Sequence, residues 1–415
     1  MPAPTLHAPV PQDSAHRRRV AVVGVAHSDC GRVDDLTAFQ LHAQAARRAL
    51  ADSGLPRSVV DGVASAGLGL LAPVEVAEYL GLRPRWADST SVGGSTWEVM
   101  AAHAVDAIAA GHAEAVLLVY GSTARADLKA GRRSAGIALG ATGPQQFEAP
   151  YGATLISKYA MAARRHIHEY GTTPEQLAGV AVQTRANAAA NPEAMYRDPI
   201  TVDDVLGGPV LASPFTKLHC CIRSDGGCAV LLAAEGYVPD IRHDPVWVLG
   251  TGEYLSHSLM SEWEDFTVSP AAVSGRLAFR RAGVSPSDID LAQVYDAFSY
   301  MPLVVLEDLG FCAKGEGGPF VDATYGRLLR DGALPTNTDG GGLSACHPGM
   351  RGLFLITEAV RQLRGDYADS APARQVRRRD ARRSAAPSLP ELALVSGVGG
   401  WFCSSGTMIL SRSPR

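Results

Sequence analysis

The chain contains a near-repeat of itself. Gly54-Leu55-Pro56-Arg57-Ser58-Val59-Val60-Asp61 has a counterpart far downstream in Gly283-Val284-Ser285-Pro286-Ser287-Asp288-Ile289-Asp290. Each copy follows a helix-forming stretch bearing two arginines (Arg47-Arg48 and Arg280-Arg281), and each opens on a glycine able to close that helix. Each then leads into a short strand. The parallel continues after Gly94, where a helix with the capping-box pattern Ser95-x-x-Glu98 runs to Gly111 and feeds the apolar strand Ala115 to Tyr120. After Gly349, a helix through Leu353, Ile356, Val360 and Leu363 feeds Leu392 to Val395. Two duplicated α/β units follow from this pattern. Fused halves of this kind bring two helix N-termini, one preceded by Ser91 and one by His347, towards a common centre where an anionic intermediate would be held.

The other segments fit around that frame. Val20-Ala21-Val22-Val23-Gly24-Val25 reads as a fully buried strand, and Thr37 with Gln40 as the start of a helix carrying Leu41, Ala45 and Ala49 on one side. Residues 150–170 have helical spacing at Ile156, Tyr159, Ala163, Ile167 and Tyr170, and Thr173-Pro174-Glu175-Gln176 is a further helix start. These lie in an insertion, 121–209, that belongs to neither repeat. The expected organisation is a mobile arm at 1–18, a first half at 19–120 completed by 210–245, and a second half at 246–415 with a flexible loop at 366–390.

At 415 residues the chain can bury a large core. Its net charge of −4 is spread along the sequence, and the basic run Arg377-Arg378-Arg379 with Arg382-Arg383 reads as a solvated loop, so nucleic acid is not an expected partner. Seven cysteines without CxxC spacing argue against a disulfide framework and against a zinc ribbon, and point to a reducing cytoplasm. No apolar run reaches membrane-spanning length. Asp225-Gly226-Gly227 reads as a structural turn before a strand.

Several stretches, in order, carry a resemblance: Tyr170-Gly171-Thr172-Thr173-Pro174-Glu175-Gln176-Leu177, Asn187-Ala188-Ala189-Ala190-Asn191-Pro192, Ser224-Asp225-Gly226-Gly227, Tyr295-Asp296-Ala297-Phe298, Cys346-His347-Pro348-Gly349 and Gly397-Val398-Gly399-Gly400. Over residues 19–410 the chain resembles the lipid-transfer-type thiolases and their acyl-CoA aldolase relatives in the thiolase superfamily. The resemblance implies an α/β fold in five αβαβα layers, with the insertion as the loop domain over the acyl-CoA channel. It also implies a homodimer, coenzyme A as part of the substrate, no covalently bound cofactor and no metal. Some relatives work with an OB-fold/zinc-ribbon accessory protein, which this chain does not contain.

The departures from the family point to the chemistry. Thiolysis needs a thiolate, because a thiol can be ionised by its setting while a serine hydroxyl needs a strong adjacent base. Here Ser91 stands at the nucleophile position, Ala297 where lipid-transfer thiolases carry Cys, and Gly397 near the second Cys. Cys346 and Cys403 read as packing. A retro-aldol cleavage needs no thiol; it needs a base for the 3-hydroxyl, donors for the enolate and an acid for the α-carbon. The resemblance offers Tyr295 as that acid and His347 as the base or an oxyanion donor. Asp296 is expected to fix its loop through backbone amides, Ser91 to be a polar wall, and Gly397, Gly399 and Gly400 to let an amide approach the oxyanion. The expected function is cleavage of a β-hydroxyacyl-CoA, such as one with a sterol side chain, to a short acyl-CoA plus ketone or aldehyde. An acyltransferase using Ser91 or a cysteine, and a non-catalytic acyl-CoA-binding subunit, are the alternatives.

Overall fold

The uncharged run from Val20 is buried along its length and forms a central strand of the molecule. In the computed structural model, residues 18–69, 71–131, 143–151, 154–378 and 388–415 are described. The first half runs β1 (Val20–His27), α1 (Ala38–Ser53), β2 (Gly62–Ala64), α2 (Ala72–Tyr79), β3 (Trp86–Asp88), α3 (Thr96–Ala109) and β4 (Ala115–Ser122). The insertion contributes α4 (Ala124–Lys129), α5 (Leu155–Tyr170), α6 (Pro174–Ala189), α7 (Val202–Leu206) and the hairpin β5 (Val210–Ala212) and β6 (Phe215–Thr216). Then come β7 (Gly226–Ala234), β8 (Val246–Leu255), α8 (Ala271–Ala282), β9 (Leu291–Val294), α9 (Tyr300–Asp308), α10 (Gly317–Val321), α11 (Gly352–Arg364), β10 (Leu392–Gly399) and β11 (Ser404–Ser411).

The strands lie in the order β3-β2-β4-β7-β1 in the first half and β8-β11-β10-β9 in the second. The two halves are hydrogen-bonded to each other where Ala21 pairs with Trp247 and Val22 with Val246. Helix α1 buries one stripe, Leu41, Ala45 and Ala49, while Arg47 and Arg48 face solvent, as an outer helix should. It covers the first sheet, and α8 covers the second. By contrast α3 and α11 are buried almost all round and touch strands of both halves, so they form the middle layer. The layering is αβαβα.

The repeat is physical as well as textual. Helix α1 ends on Gly54 at φ +78° and α8 on Gly283 at φ +67°, the left-handed region where a side chain is strained. Asp61 then accepts from the amides of Glu114 and Ala115 at 2.9 Å each, at the start of β4. Asp290 accepts from the amides of Glu391 and Leu392 at 2.8 and 3.1 Å, at the start of β10. One carboxylate in each half therefore ties the first short strand to the next.

Local starts follow sequence with one exception. Thr37 and Gln40 form a reciprocal cap on α1, and Thr173 and Gln176 on α6. The Ser95-x-x-Glu98 box does not form. Ser95 is helical (φ −84°, ψ 0°), its hydroxyl meets Ser404 Oγ at 2.7 Å, and Glu98 points into the protein. Of the stretch read as a flexible loop, 366–390, residues 379–387 lie outside the described residues, while in 366–378 Tyr367, Arg374, Gln375 and Val376 are buried, with Gln362 donating to Arg374 O at 2.8 Å and to Glu358 at 2.8 Å. Of the arm read at 1–18 only Arg18 is described, paired with Glu114, and the basic run beyond Arg378 lies outside the described residues. Asp225 is a buried anchor, accepting from the amides of Arg125 and Ala126 at 2.9 Å each.

Replacing either repeat carboxylate, Asp61→Ala or Asp290→Ala, leaves two strand-start amides without their acceptor and should lower unfolding free energy by about 1–3 kcal/mol. Denaturant unfolding of the two variants checks this; a loss in only one half would contradict equivalent roles.

Candidate active site

Tyr295 follows the last residue of β9. Its N–H donates to Ser396 O at 3.0 Å, one step past the parallel pair Val294 and Ser396, which seats it beside Gly397. The ring is buried and lies against Gly94, just ahead of α3, where an added Cβ would fall 2.7 Å from Tyr295 Cζ and 2.3 Å from Val398 O. Only glycine admits the phenol there.

His347 arrives on a loop of unusual shape. Gly341–Ala345 form a π turn, with Cys346 N–H reaching back to Gly341 O at 3.3 Å, and His347 N–H donates to Ser224 Oγ at 2.8 Å. The result is Tyr295 Oη 3.1 Å from His347 Nε2, the rings nearly perpendicular at 87°. Burial pushes the phenol well above its usual 10, and burial with the nearby Arg351 charge pushes the imidazole down to about 4. Both groups are therefore neutral near pH 7.

A buried charge cluster holds this pair. Asp296 accepts from the amides of Gly342 at 2.7 Å and Leu343 at 3.3 Å, which anchors the π turn. Arg351, completely buried, donates to Cys346 O at 2.7 Å, pairs with Asp339 and stands 3.7 Å from Asp296. Burial lifts Asp296 to about 7 against the pull of Arg351 and the amides. Neither Arg351 nor Asp339 carried a sequence signal; a charge inside a glycine-rich loop looks like any solvated loop residue.

The other expected residues divide. Gly399 and Gly400 pack on Gly93, where an added Cβ would lie 2.6 Å from Gly400 N, so this backbone closes on the start of α3 beside the pair. Tyr159 of the insertion reaches the same turn, its hydroxyl donating to Gly400 O at 2.9 Å. Gly397 does not face that space: a Cβ there would meet Glu98 Oε2 at 2.1 Å. Ser91 is exposed and makes no hydrogen bond among the described residues. Cys346 is buried against Ser224 Oγ at 3.2 Å, and burial pushes the Cys403 thiol up to about 11. Sequence reading also missed Tyr120, whose hydroxyl donates to Pro348 O at 2.7 Å next to His347.

Comparison with known proteins identifies the family. Residues 252–412 match the family described as thiolase C-terminal domain-like. The chain is 31% identical over 404 residues to the acetyl-CoA acetyltransferase of Methanothermobacter thermautotrophicus, covering 95% of this chain and all of that one. It is 32% identical over 356 residues to the steroid side-chain-cleaving aldolase of Thermomonospora curvata, covering 83% of this chain and 90% of that one. The chain belongs to the thiolase superfamily. Among solved structures, the Ltp2-ChsH2(DUF35) aldolase superposes with a TM-score of 0.81 at 29% identity, covering 95% of this thiolase-superfamily chain and 97% of the other. Among the described residues, no helix is long and apolar enough to cross a membrane.

A histidine held at about 4 takes up no proton as the pH falls from 6.5, whereas its unfolded counterpart does. His347 therefore contributes stability that is complete above pH 6.5 and declines towards pH 4. An NMR titration of the His347 ring should show a midpoint near 4; a midpoint near 6.5 would contradict the closed, neutral pair.

Proposed function

We propose that this chain is a carbon–carbon lyase, cleaving a β-hydroxyacyl-CoA by retro-aldol chemistry into a short acyl-CoA and a ketone or aldehyde. The observation that carries this reading is the Tyr295–His347 hydrogen bond of 3.1 Å in a site whose nucleophile position is an exposed, unpartnered Ser91. With His347 as the tautomer protonated on Nδ1, the phenol turns its proton from Nε2 towards the α-carbon, and the freed Nε2 lone pair takes the proton of the substrate's 3-hydroxyl. The bond between the α- and β-carbons breaks, its electron pair passing into the thioester as an enolate. Tyr295 gives its proton to the α-carbon, and His347 returns the captured proton to the phenolate across their hydrogen bond. Protons balance with no acyl-enzyme. A phenol with a high pKa and an imidazole with a low one favour this reset, since His347 holds its extra proton only transiently.

The enolate oxygen is held by backbone amides where Gly399 and Gly400 meet Gly93, at the positive end of α3. Asp296 acts on the loop rather than on substrate, and Ser91 does not react. The aldolase relative's name supports a substrate of the steroid side-chain class, and coenzyme A would enter as part of it. The solved neighbour pairs Ltp2 with ChsH2(DUF35), which supports an accessory partner of that kind.

An acyltransferase is the second reading, favoured by the methanogen relative. It would need a nucleophile. Ser91 makes no hydrogen bond among the described residues, Cys403 is held protonated by burial, and Cys346, whose thiol is lowered by its hydrogen bonds with Cys30 and Ser224, is buried.

Tyr295→Phe keeps the ring in its slot against Gly94 and deletes the only proton it can donate. Turnover of a β-hydroxyacyl-CoA should fall about a hundredfold or more, with folding and CoA-ester binding retained. Near-normal turnover in this variant would remove Tyr295 from the mechanism.

A further inference from the structure

Glu98 is a buried charge-bearing residue with no visible reason to be there. It lies at the start of α3, is 1% exposed, and neither carboxyl oxygen has a hydrogen-bond partner. Three glycines make its space. An added Cβ would lie 2.1 Å from Glu98 Oε2 at Gly397 on β10, 2.5 Å from the same oxygen at Gly352 on α11, and 2.7 Å from Glu98 Cβ at Gly406 on β11. Gly397 and Gly406 are directly paired, and Tyr295 sits next to Gly397 across β9 and β10. Tyr295, Gly397 and Gly406 thus form a row on one sheet face. Two members of the row lack side chains, and the Glu98 carboxyl occupies the vacated space beside the phenol.

An unpaired carboxylate is costly in such a setting, so the group keeps its proton at neutral pH. The start of α3 favours a negative charge only weakly compared with that desolvation cost. Few charges face the carboxyl. From β10 and β11 come glycines; from α11 comes Gly352, preceded by Arg351, which is committed to Asp339, Asp296 and Cys346 O. From the β9 end comes Tyr295, with His347 beyond it, and from β4 comes Tyr120, whose ring packs on Trp97 and whose hydroxyl is given to Pro348 O. A negative Glu98 would add to the charges that oppose ionisation of Tyr295.

We propose that Glu98 is a positioning residue that stays a neutral carboxylic acid at neutral pH, so that Tyr295 can become a phenolate during turnover, and that its ionisation shuts the reaction down on the alkaline side. This deepens the lyase reading and rests on it. The proposal accounts for the three glycines: they admit a carboxyl where an apolar side chain would otherwise pack. It also sets a pH, since burial pushes Glu98 up to about 8.

The test uses the full-length protein, with its accessory partner if activity requires one, and has two arms. Infrared difference spectroscopy of wild type should show the carbonyl stretch of a neutral carboxylic acid at pH 7, absent from Glu98→Gln and titrating away around pH 8. In the second arm, the wild-type pH–kcat profile should lose at least tenfold above that pH, while the isosteric Glu98→Gln keeps neutral-pH turnover and loses that alkaline limb. A wild type whose neutral-carboxyl band is missing at pH 7 would overturn the proposal. So would identical alkaline limbs in the two enzymes, or a Glu98→Gln variant that folds yet is inactive at pH 7. The infrared arm needs no substrate: a chain that cleaves no β-hydroxyacyl-CoA sinks the lyase reading, while the band separately decides the charge state of Glu98.

Discussion

One buried guanidinium holds the catalytic loop in shape. Arg351 joins three pieces of backbone: the π turn through Cys346 O, the turn before it through Asp339, and the β9 end through Asp296. Without it two buried carboxylates would face each other uncompensated, a loss on the order of 3–5 kcal/mol for a buried ion pair. The Tyr295–His347 hydrogen bond exists because this cluster fixes both ends. The loop turns through Gly340 at φ +103° and Gly341 at φ +62°, left-handed positions where a side chain would be strained.

The duplication places that cluster. Both halves build a short strand from the same helix–glycine–Asp device, and both send a helix N-terminus into the middle layer. Because α3 and α11 lie between the sheets, they pack on β10 and β9, and Tyr295 sits at the end of β9 while His347 sits on a loop pinned by the π turn and Ser224. The chemistry then follows from burial. A dry site makes a phenol hard to ionise and an imidazole hard to protonate, which suits a proton passed back and forth over one hydrogen bond and does not suit a serine lacking a base.

Much of this was legible in sequence because local rules decide it. Gly54 and Gly283 mark left-handed helix ends, Thr37 and Thr173 mark caps, and Asp61 and Asp290 recur at equivalent places. The Tyr295 and His347 segments were recognisable as a family pattern, but their approach across 52 residues of sequence belongs to the fold. Glu98 was misread because Ser-x-x-Glu matches a capping box whatever the backbone does; at Ser95 the backbone is helical, so the hydroxyl turns to Ser404 and the carboxyl is free to go inward. Gly397 was assigned to the oxyanion for lack of knowing what stood over it. Arg351 was invisible because its partners are brought by three different segments. The 366–378 stretch looked like a loop by composition, yet its Gln375 and Arg374 bond to α11.

A proton circuit without a covalent intermediate leaves its mark on both product and protein, and mass spectrometry after turnover in heavy water reads both. One deuterium is expected on the α-carbon of the short acyl-CoA, with an enzyme of unmodified mass at every time point. An acyl adduct on Ser91, Cys346 or Cys403 that forms and decays with turnover would contradict it.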